Sequence, residues 1–336
     1  MKYLVVSSGA LGCLWASILA KNPENKVALI HHRQSFVDAL KRQNGILLRV
    51  GKSKINELVN LSAFKTLSDG LKYLGNECDC VLLLVKVFTT GQILKDLKKE
   101  EIDKLLELKT IFVTFQNSLC NVEKLLNYFP KTQVLFGTTV THAMVIKDGL
   151  IEGTPNRPST VWSASNAFGN EHKRIVKNLC SSGLPTNPTK DAQLMLWKKL
   201  AVNCAINSVT TLVQLKIGPC ITECSGVGKE LMSEIAAEVA RVAQTEGISL
   251  SEKEAIDSLL FVVQKATNHV SAMCNDVLNR RQTEIENLNG YVLRIAKKKR
   301  VSVPSIKMTH QMIQLIQESY HLLLQPVCSP SLKAKV

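Results

Sequence analysis

The 336 residues are 45% apolar and 21% charged, with a formal net charge of +14. The length allows two domains with cores of their own; no run approaches the ~18 apolar residues of a membrane span, and the strand-like opening KYLVVSS has no signal-peptide layout. Aromatic residues at 5% are too sparse for a nucleic-acid stacking platform, so the basic excess points to anionic small molecules ahead of nucleic acid, and the ten cysteines read as reduced thiols of a cytoplasmic protein. Neither Cys78 with Cys80 nor Cys220 with Cys224 has enough neighbouring ligands for zinc, and no metal site is expected. The densest basic run, Lys297 to Arg300, reads as a solvated helix end.

Lys2 to Val6 is a short apolar run, and Leu11 to Ala20 is a helix. Between them lies Ser7-Ser8-Gly9-Ala10-Leu11-Gly12. Strand, glycine turn and helix open a dinucleotide-binding unit, in which the turn's backbone N–H groups and the helix N-terminus meet a pyrophosphate. Ser7 stands where the first glycine of G-x-G-x-x-G would be, and a serine there predicts strain. Lys26 to Ile30 is the second strand. His31-His32-Arg33 follows where an NAD-specific fold carries an acid for the ribose hydroxyls. His32 and Arg33 suit a 2′-phosphate instead, which selects NADP(H); the alternative is a basic surface turn.

Ser35 to Gln43 is a helix, and Ile46 to Val50 and Ile55 to Leu61 are short strands. Cys80 to Val85 is continuously apolar, as a strand covered on both faces should be, with Lys86 at its C-terminal end, where open parallel sheets bind ligands. Helices follow over Thr89 to Lys98 and Glu101 to Leu108. Ile111 to Phe115 is a strand running into Gln116-Asn117-Ser118, in which Asn117 is a ligand contact or an ordinary turn residue. Val134 to Val140 leads to Thr141-His142-Ala143. Met144 to Ile146, Leu150 to Gly153 and Ser159 to Trp162 read as antiparallel strands closing the same sheet. Glu171 to Ser181 is a crossover helix, broken off at Thr186-Asn187-Pro188.

From Asp191 onward the spacing is helical, with Gly218-Pro219 ending the first helical region. Further helices are expected over Glu223 to Glu246, Glu252 to Thr267, Val270 to Leu278, Glu284 to Lys297 and Ser305 to Leu324. The predicted fold is α/β followed by all-α. A Rossmann-like dinucleotide-binding domain covers 1–168, an all-helical substrate and catalytic domain covers 169–325, and a tail covers 326–336.

On a helix, Lys199, Asn203 and Asn207 stack four residues apart on one face of Trp197 to Thr211, WKKLAVNCAINSVTT. The rest of that segment is apolar. Burying these groups unpaired would cost roughly 1–3 kcal/mol each. Either neighbouring loops or a polar ligand must pair them.

This stretch resembles the signature helix of the ketopantoate reductase (2-dehydropantoate 2-reductase) family. The resemblance implies that Lys199 is the proton donor and that Asn203 and Asn207 hold the substrate. It extends to Lys86 as a cofactor contact, to Asn117 near nicotinamide and substrate, and to Ala143 against the cofactor. It continues through Ser271-Ala272-Met273, Thr283-Glu284-Ile285 and Asn289-Gly290-Tyr291. Ser271 is then a substrate contact, and Glu284 falls on a carboxylate at the cofactor's hydride-transfer end. His142 reads as structural, since the lysine fills the acid role. Departures are Ser7 and Ser118 for glycines, His269 and Ile217 for asparagines, and Ala272 for a second serine.

The implied activity is NADPH-dependent reduction of 2-dehydropantoate to pantoate, a step toward pantothenate and coenzyme A. The alternatives are a reductase of another 2-oxo acid and a non-catalytic NADP(H)-binding homologue. The sequence leaves monomer and homodimer both open.

Overall fold

The computed structural model describes residues 1–322 apart from 8, 52, 54, 116–119, 142, 156, 190 and 191. The predicted tail at 326–336 lies outside the described residues. Contacts divide the chain after Leu196 into two compact units.

The first unit runs β1 (Lys2–Ser7), α1 (Ala10–Ala20), β2 (Lys26–His31), α2 (Gln34–Gln43), β3 (Ile46–Val50), β4 (Glu57–Val59), β5 (Ser62–Phe64), α3 (Leu67–Tyr73), β6 (Cys80–Leu84) and α4 (Val87–Asp96). It continues with α5 (Lys99–Glu107), β7 (Ile111–Thr114), α6 (Cys120–Leu126), β8 (Val134–Thr139), β9 (Ala143–Lys147), β10 (Leu150–Gly153), β11 (Ser159–Ser163), α7 (Asn170–Ser181) and β12 (Thr186–Pro188). An eight-stranded sheet has the order β12-β11-β8-β7-β6-β1-β2-β5. From β5 to β8 all pairs are parallel, and β11 joins β8 antiparallel.

Alternate residues of β1 serve two cores. Tyr3 and Val5 pack with Leu14 and Trp15 of α1, Phe36 of α2 and Ile175 of α7. Leu4 and Val6 pack with Leu71 of α3, Leu94 of α4 and Leu125 of α6. A sheet covered on both faces gives the continuously apolar strands seen in the sequence.

The predicted antiparallel trio does not close this sheet as a group. Only β11 joins it. β9 and β10 form a second, four-stranded sheet of order β4-β3-β10-β9, in which β10 runs parallel to β3. Its inner residues Ile46, Leu48, Val59 and Ile151 share the core of α1. The main sheet already covers the other side of α1, so that helix is buried continuously from Gly12 to Leu19. Thr186-Asn187-Pro188, expected as a break, forms β12 and pairs with β11 at the sheet edge, where a proline is tolerated. The sheet pairing of β12 and the core packing of α7 keep this segment in the first unit. The units therefore divide after Leu196, not at the expected 168/169 boundary.

The second unit is helical: α8 (Ala192–Val213), α9 (Ile217–Thr222), α10 (Val227–Thr245), α11 (Glu252–Lys265), α12 (Ala272–Leu278), α13 (Asn289–Lys299) and α14 (Pro304–Glu318). Gly218-Pro219 lies inside α9; α8 ends earlier, beside Gln214 at φ 53°. The helix expected from Glu223 starts at Val227, because Ser225 and Gly226 take positive φ. Gly228 then lets α10 approach α9: a Cβ there would lie 1.9 Å from the Cys220 carbonyl oxygen. The helix expected from Glu284 is a 3₁₀ turn at Ile285–Asn287 followed by α13. Among the described residues no helix is long and apolar enough to cross a membrane.

α10 supplies much of this unit's core through Met232, Ile235, Ala236, Val239 and Ala240. Glu238 on the same helix is fully buried, and its two carboxylate oxygens accept the Ser305 and Ile306 N–H groups at 2.9 and 2.8 Å. It thereby caps the start of α14, where the helix dipole favours an anion. Glu238→Ala removes both acceptors. Urea unfolding should show about 1–3 kcal/mol less stability. A loss below about 0.5 kcal/mol would mean that this helix start has another means of satisfying its N–H groups.

Candidate functional site

In the first unit, Ser7 ends β1 in register with His31 of β2 and Leu84 of β6. It is buried and does not take positive φ, so the expected strain is absent. Its Oγ–H donates to the Gly9 carbonyl at 2.8 Å, and its Oγ accepts the Gly9 N–H at 3.2 Å. The side chain thus closes the turn that a glycine would have eased. It also fills the space beside Gly12, where a Cβ would lie 2.4 Å from Ser7 Oγ. Gly9 caps α1 in extended conformation, and a Cβ there would meet nothing within 4 Å. The first turn, with Ala10, Leu11 and Gly12, has no acid and no side-chain cap among the described residues. Bare backbone N–H groups at a helix start fit a pyrophosphate. Ser8 lies outside the described residues.

His31 is fully buried and stacks on Phe36, ring centroids 4.1 Å apart, with His32 stacked beside it at 5.0 Å. Its Nδ1 accepts the Arg33 N–H at 3.2 Å, and burial pushes the imidazole down to about 4, so it is neutral. His32 and Arg33 are exposed. Arg33 is paired with Asp148 at 2.9 Å, and Ser35 Oγ–H donates to the same carboxylate at 2.7 Å. Asp148 sits in the turn between β9 and β10. Nothing local in the sequence signals this partner, because the small sheet brings it there.

Lys86 is half-buried and caps α4 at the C-terminal end of β6, the strand beside β1; its carbonyl accepts the Thr89 N–H and hydroxyl. Ala143 opens β9 opposite Gly153 and borders the core around α1, as Leu11 does. Asn117 lies outside the described residues, together with Gln116, Ser118 and His142.

In the second unit, α8 carries the lysine and asparagine face. From Leu200 to Thr211 every residue is buried except Asn203 and Asn207, and Lys199 one turn earlier is likewise only partly exposed. The neighbouring Lys198 is committed elsewhere, bridging to Glu254 of α11 at 3.1 Å. Lys199 is the lysine that loses water: desolvation brings it from 10.5 down to about 8. Asn203 Nδ2 is buried without a hydrogen-bond partner among the described residues. An orphan amide donor next to a lysine with a lowered pKa fits a polar, acceptor-rich ligand.

Ser271 is buried and caps α12, where its Oγ accepts the Cys274 N–H at 3.2 Å. Its Oγ lies 2.7 Å from Thr210 Oγ1, whose own hydrogen goes to the Ile206 carbonyl. Ser271 is therefore the donor in that pair, and its O–H is spent within the protein. Thr210, missed in the sequence, links α12 to α8. Glu284 is half-buried and caps a 3₁₀ turn. Thr283 pins the loop around it: its N–H donates to Gln317 at 2.6 Å, and its Oγ1 accepts from Ile285 N–H. Of the departures, Ile217 is buried with its N–H on the His269 carbonyl, while His269 and Ala272 are exposed. Among the described residues no group of three or more His, Cys, Asp or Glu could hold a metal ion.

The parallel sheet with a glycine turn at β1 is a Rossmann-type dinucleotide-binding fold, joined in one chain to a helical unit carrying a desolvated lysine. Residues 3–166 match the model described as ketopantoate reductase PanE/ApbA, and 191–317 match its C-terminal counterpart. The chain belongs to the ketopantoate reductase family. A 2-dehydropantoate 2-reductase of Halobacterium salinarum is 26% identical over 317 residues, covering 94% of this chain and 99% of that one. A PanE/ApbA family ketopantoate reductase from Ralstonia eutropha shares the fold at TM-score 0.82 and 21% identity, over 95% of this chain and 99% of its own. D-mandelate dehydrogenase, solved with NADH and anilino(oxo)acetate, does so at TM-score 0.82 and 20% identity with the same coverage.

The packing of Ser7 on Gly12 makes a testable pair. Gly12→Ala should destabilise the protein by about 1–3 kcal/mol in urea unfolding, since the new methyl meets Ser7 Oγ. Adding Ser7→Gly should recover at least half of that loss, a non-additivity expected of residues in contact. Strict additivity would rule the contact out as the cause.

Proposed function

We propose that the protein reduces 2-dehydropantoate to pantoate with NADPH, a step toward pantothenate and coenzyme A, and that Lys199 delivers the proton. The observation carrying this reading is the face of α8: Lys199, Asn203 and Asn207 are its partly exposed polar positions on an otherwise buried stretch. The cofactor supplies the hydride. Lys199 donates from its ammonium to the carbonyl oxygen as that oxygen becomes an alkoxide, and a pKa near 8 keeps it charged yet ready to release the proton. Asn203 directs its unpaired Nδ2 hydrogens to the substrate's oxygens, and Asn207 holds the same edge one turn on. Asn117 supports the nicotinamide end. Ser271 has one lone pair left for the substrate and acts mainly by fixing α12 against Thr210.

On the first unit, the N–H groups from Gly9 to Gly12 hold the pyrophosphate, with Ser7 shaping the turn. Lys86 and Ala143 are further cofactor contacts in this reading, and Glu284 is assigned a cofactor contact by the family resemblance alone. His32 and Arg33 grip the 2′-phosphate. D-mandelate dehydrogenase was solved with NADH on the same fold, so the preference for NADPH rests on this chain's own residues. Free described thiols support a reducing compartment such as the cytoplasm.

A second reading, another 2-oxo acid as substrate, is favoured by one observation. Ser271 has spent its hydroxyl proton, and the neighbouring serine of the family is Ala272.

The test is NADPH consumption with 2-dehydropantoate, run beside NADH and a panel of other 2-oxo acids. Turnover should be fastest with NADPH and 2-dehydropantoate. Lys199→Ala should lower kcat by about 10²–10⁴-fold while still binding NADPH. Asn203→Ala should lower kcat/KM by about 10–100-fold. A Lys199→Ala enzyme as fast as wild type would falsify the proton-donor assignment; NADPH binding without turnover on any 2-oxo acid would favour a non-catalytic homologue.

A further inference from the structure

β5 lies beside β2 in parallel, with Phe64 level with Ile30, so Lys65 leaves the sheet at the level of His31. The C-terminal ends of two adjacent strands thus present His32, Arg33 and Lys65 together. Lys65 Nζ donates to the His32 carbonyl oxygen, 33 residues back along the chain. It also lines a cleft of about 540 Å³ with Gln34, Lys41, Lys72 and Tyr73. The one acid in that lining, Asp69, has its carboxylate held by the Thr66 hydroxyl.

The charges of the two strong cations are balanced differently. Arg33 faces Asp148 at 2.9 Å. Lys65 spends a hydrogen on a neutral carbonyl and has no carboxylate partner among the described residues. His32 registers both: burial, then Arg33, then Lys65, hold its imidazole below the ordinary histidine range. This corner therefore carries more positive charge than the protein neutralises, at the end of the sheet where dinucleotides bind.

We infer that Lys65 is a specificity-determining residue for the cofactor, a cation for the adenosine 2′-phosphate that acts with His32 and Arg33. This rests on the NADPH reading above and adds a residue that no motif marks. An ammonium with two unspent hydrogens makes charge-assisted bonds to a phosphate, while the hydroxyl of NADH offers it no charge. Asp148 works in the opposite sense, holding Arg33 until a phosphate displaces it.

The test is direct binding, independent of turnover. Wild type, Lys65→Met, Lys65→Arg and Arg33→Met are titrated with NADPH and NADH, and with adenosine 2′,5′-bisphosphate and 5′-AMP. Lys65→Met should lose about tenfold in affinity for NADPH and the bisphosphate and leave NADH and 5′-AMP unchanged. Lys65→Arg should keep most of the preference, which separates charge from folding. If Arg33→Met loses the preference and Lys65→Met keeps it, the assignment of Lys65 fails and the NADPH reading stands. Equal wild-type affinity for NADPH and NADH overturns both.

Discussion

Desolvation along α8 is the constraint on which the second unit depends. A helix buried on nearly every side from Leu200 to Thr211 has room for polar groups only where something polar meets them. Ser208, Thr210 and Thr211 solve this within the helix, donating to carbonyls one turn back. Asn203 cannot, and its Nδ2 stays without a partner among the described residues. The same loss of water that makes an unpaired amide costly lowers Lys199 to about 8. The unpaired amide and the lowered pKa here have one cause. The neighbouring Lys198, offset around the helix, reaches Glu254 and takes the ordinary role of an ion-paired lysine.

The first unit answers a different demand, a tight turn between β1 and α1. Replacing a glycine by Ser7 does not spoil the turn, because the hydroxyl bonds to both ends of Gly9. The cost is transferred to Gly12, where no side chain fits. The turn thus keeps its shape, and the space beside Gly12 is closed by Ser7 and Leu84 together. Around the end of β2 the sheet assembles cations from separate stretches, with Asp148 from the small sheet as their counterweight.

Much of this was legible in the residues themselves. Continuous apolar runs marked β1, β6 and β7, because strands covered on both faces leave no polar alternation. The spacing of Lys199, Asn203 and Asn207 on α8 followed from helical geometry alone. What escaped notice was non-local. Alternation identified β9, β10 and β11 as strands but could not say that two of them would pair with β3 and β4. A proline hid β12, since its edge position appears only once the sheet is assembled. Helix periodicity ran through Ser225 and Gly226 and through Leu288, where backbone dihedrals end or begin helices. Ser271 carried no sign in the sequence of its bond to Thr210, which appears only where α12 packs on α8. Lys65 and Asp148 had no motif and became visible only when strand order brought them to β2.

The most direct measurement is the pH dependence of kcat/KM for reduction of the 2-oxo acid. The proposed proton donor, Lys199, acts in its charged form, and its lowered pKa leaves it charged only below about 8. The expected result is a level profile below about pH 8 and a fall of about tenfold per unit above it. A profile with no descending limb near pH 8 would contradict the assignment of this desolvated lysine as the acid.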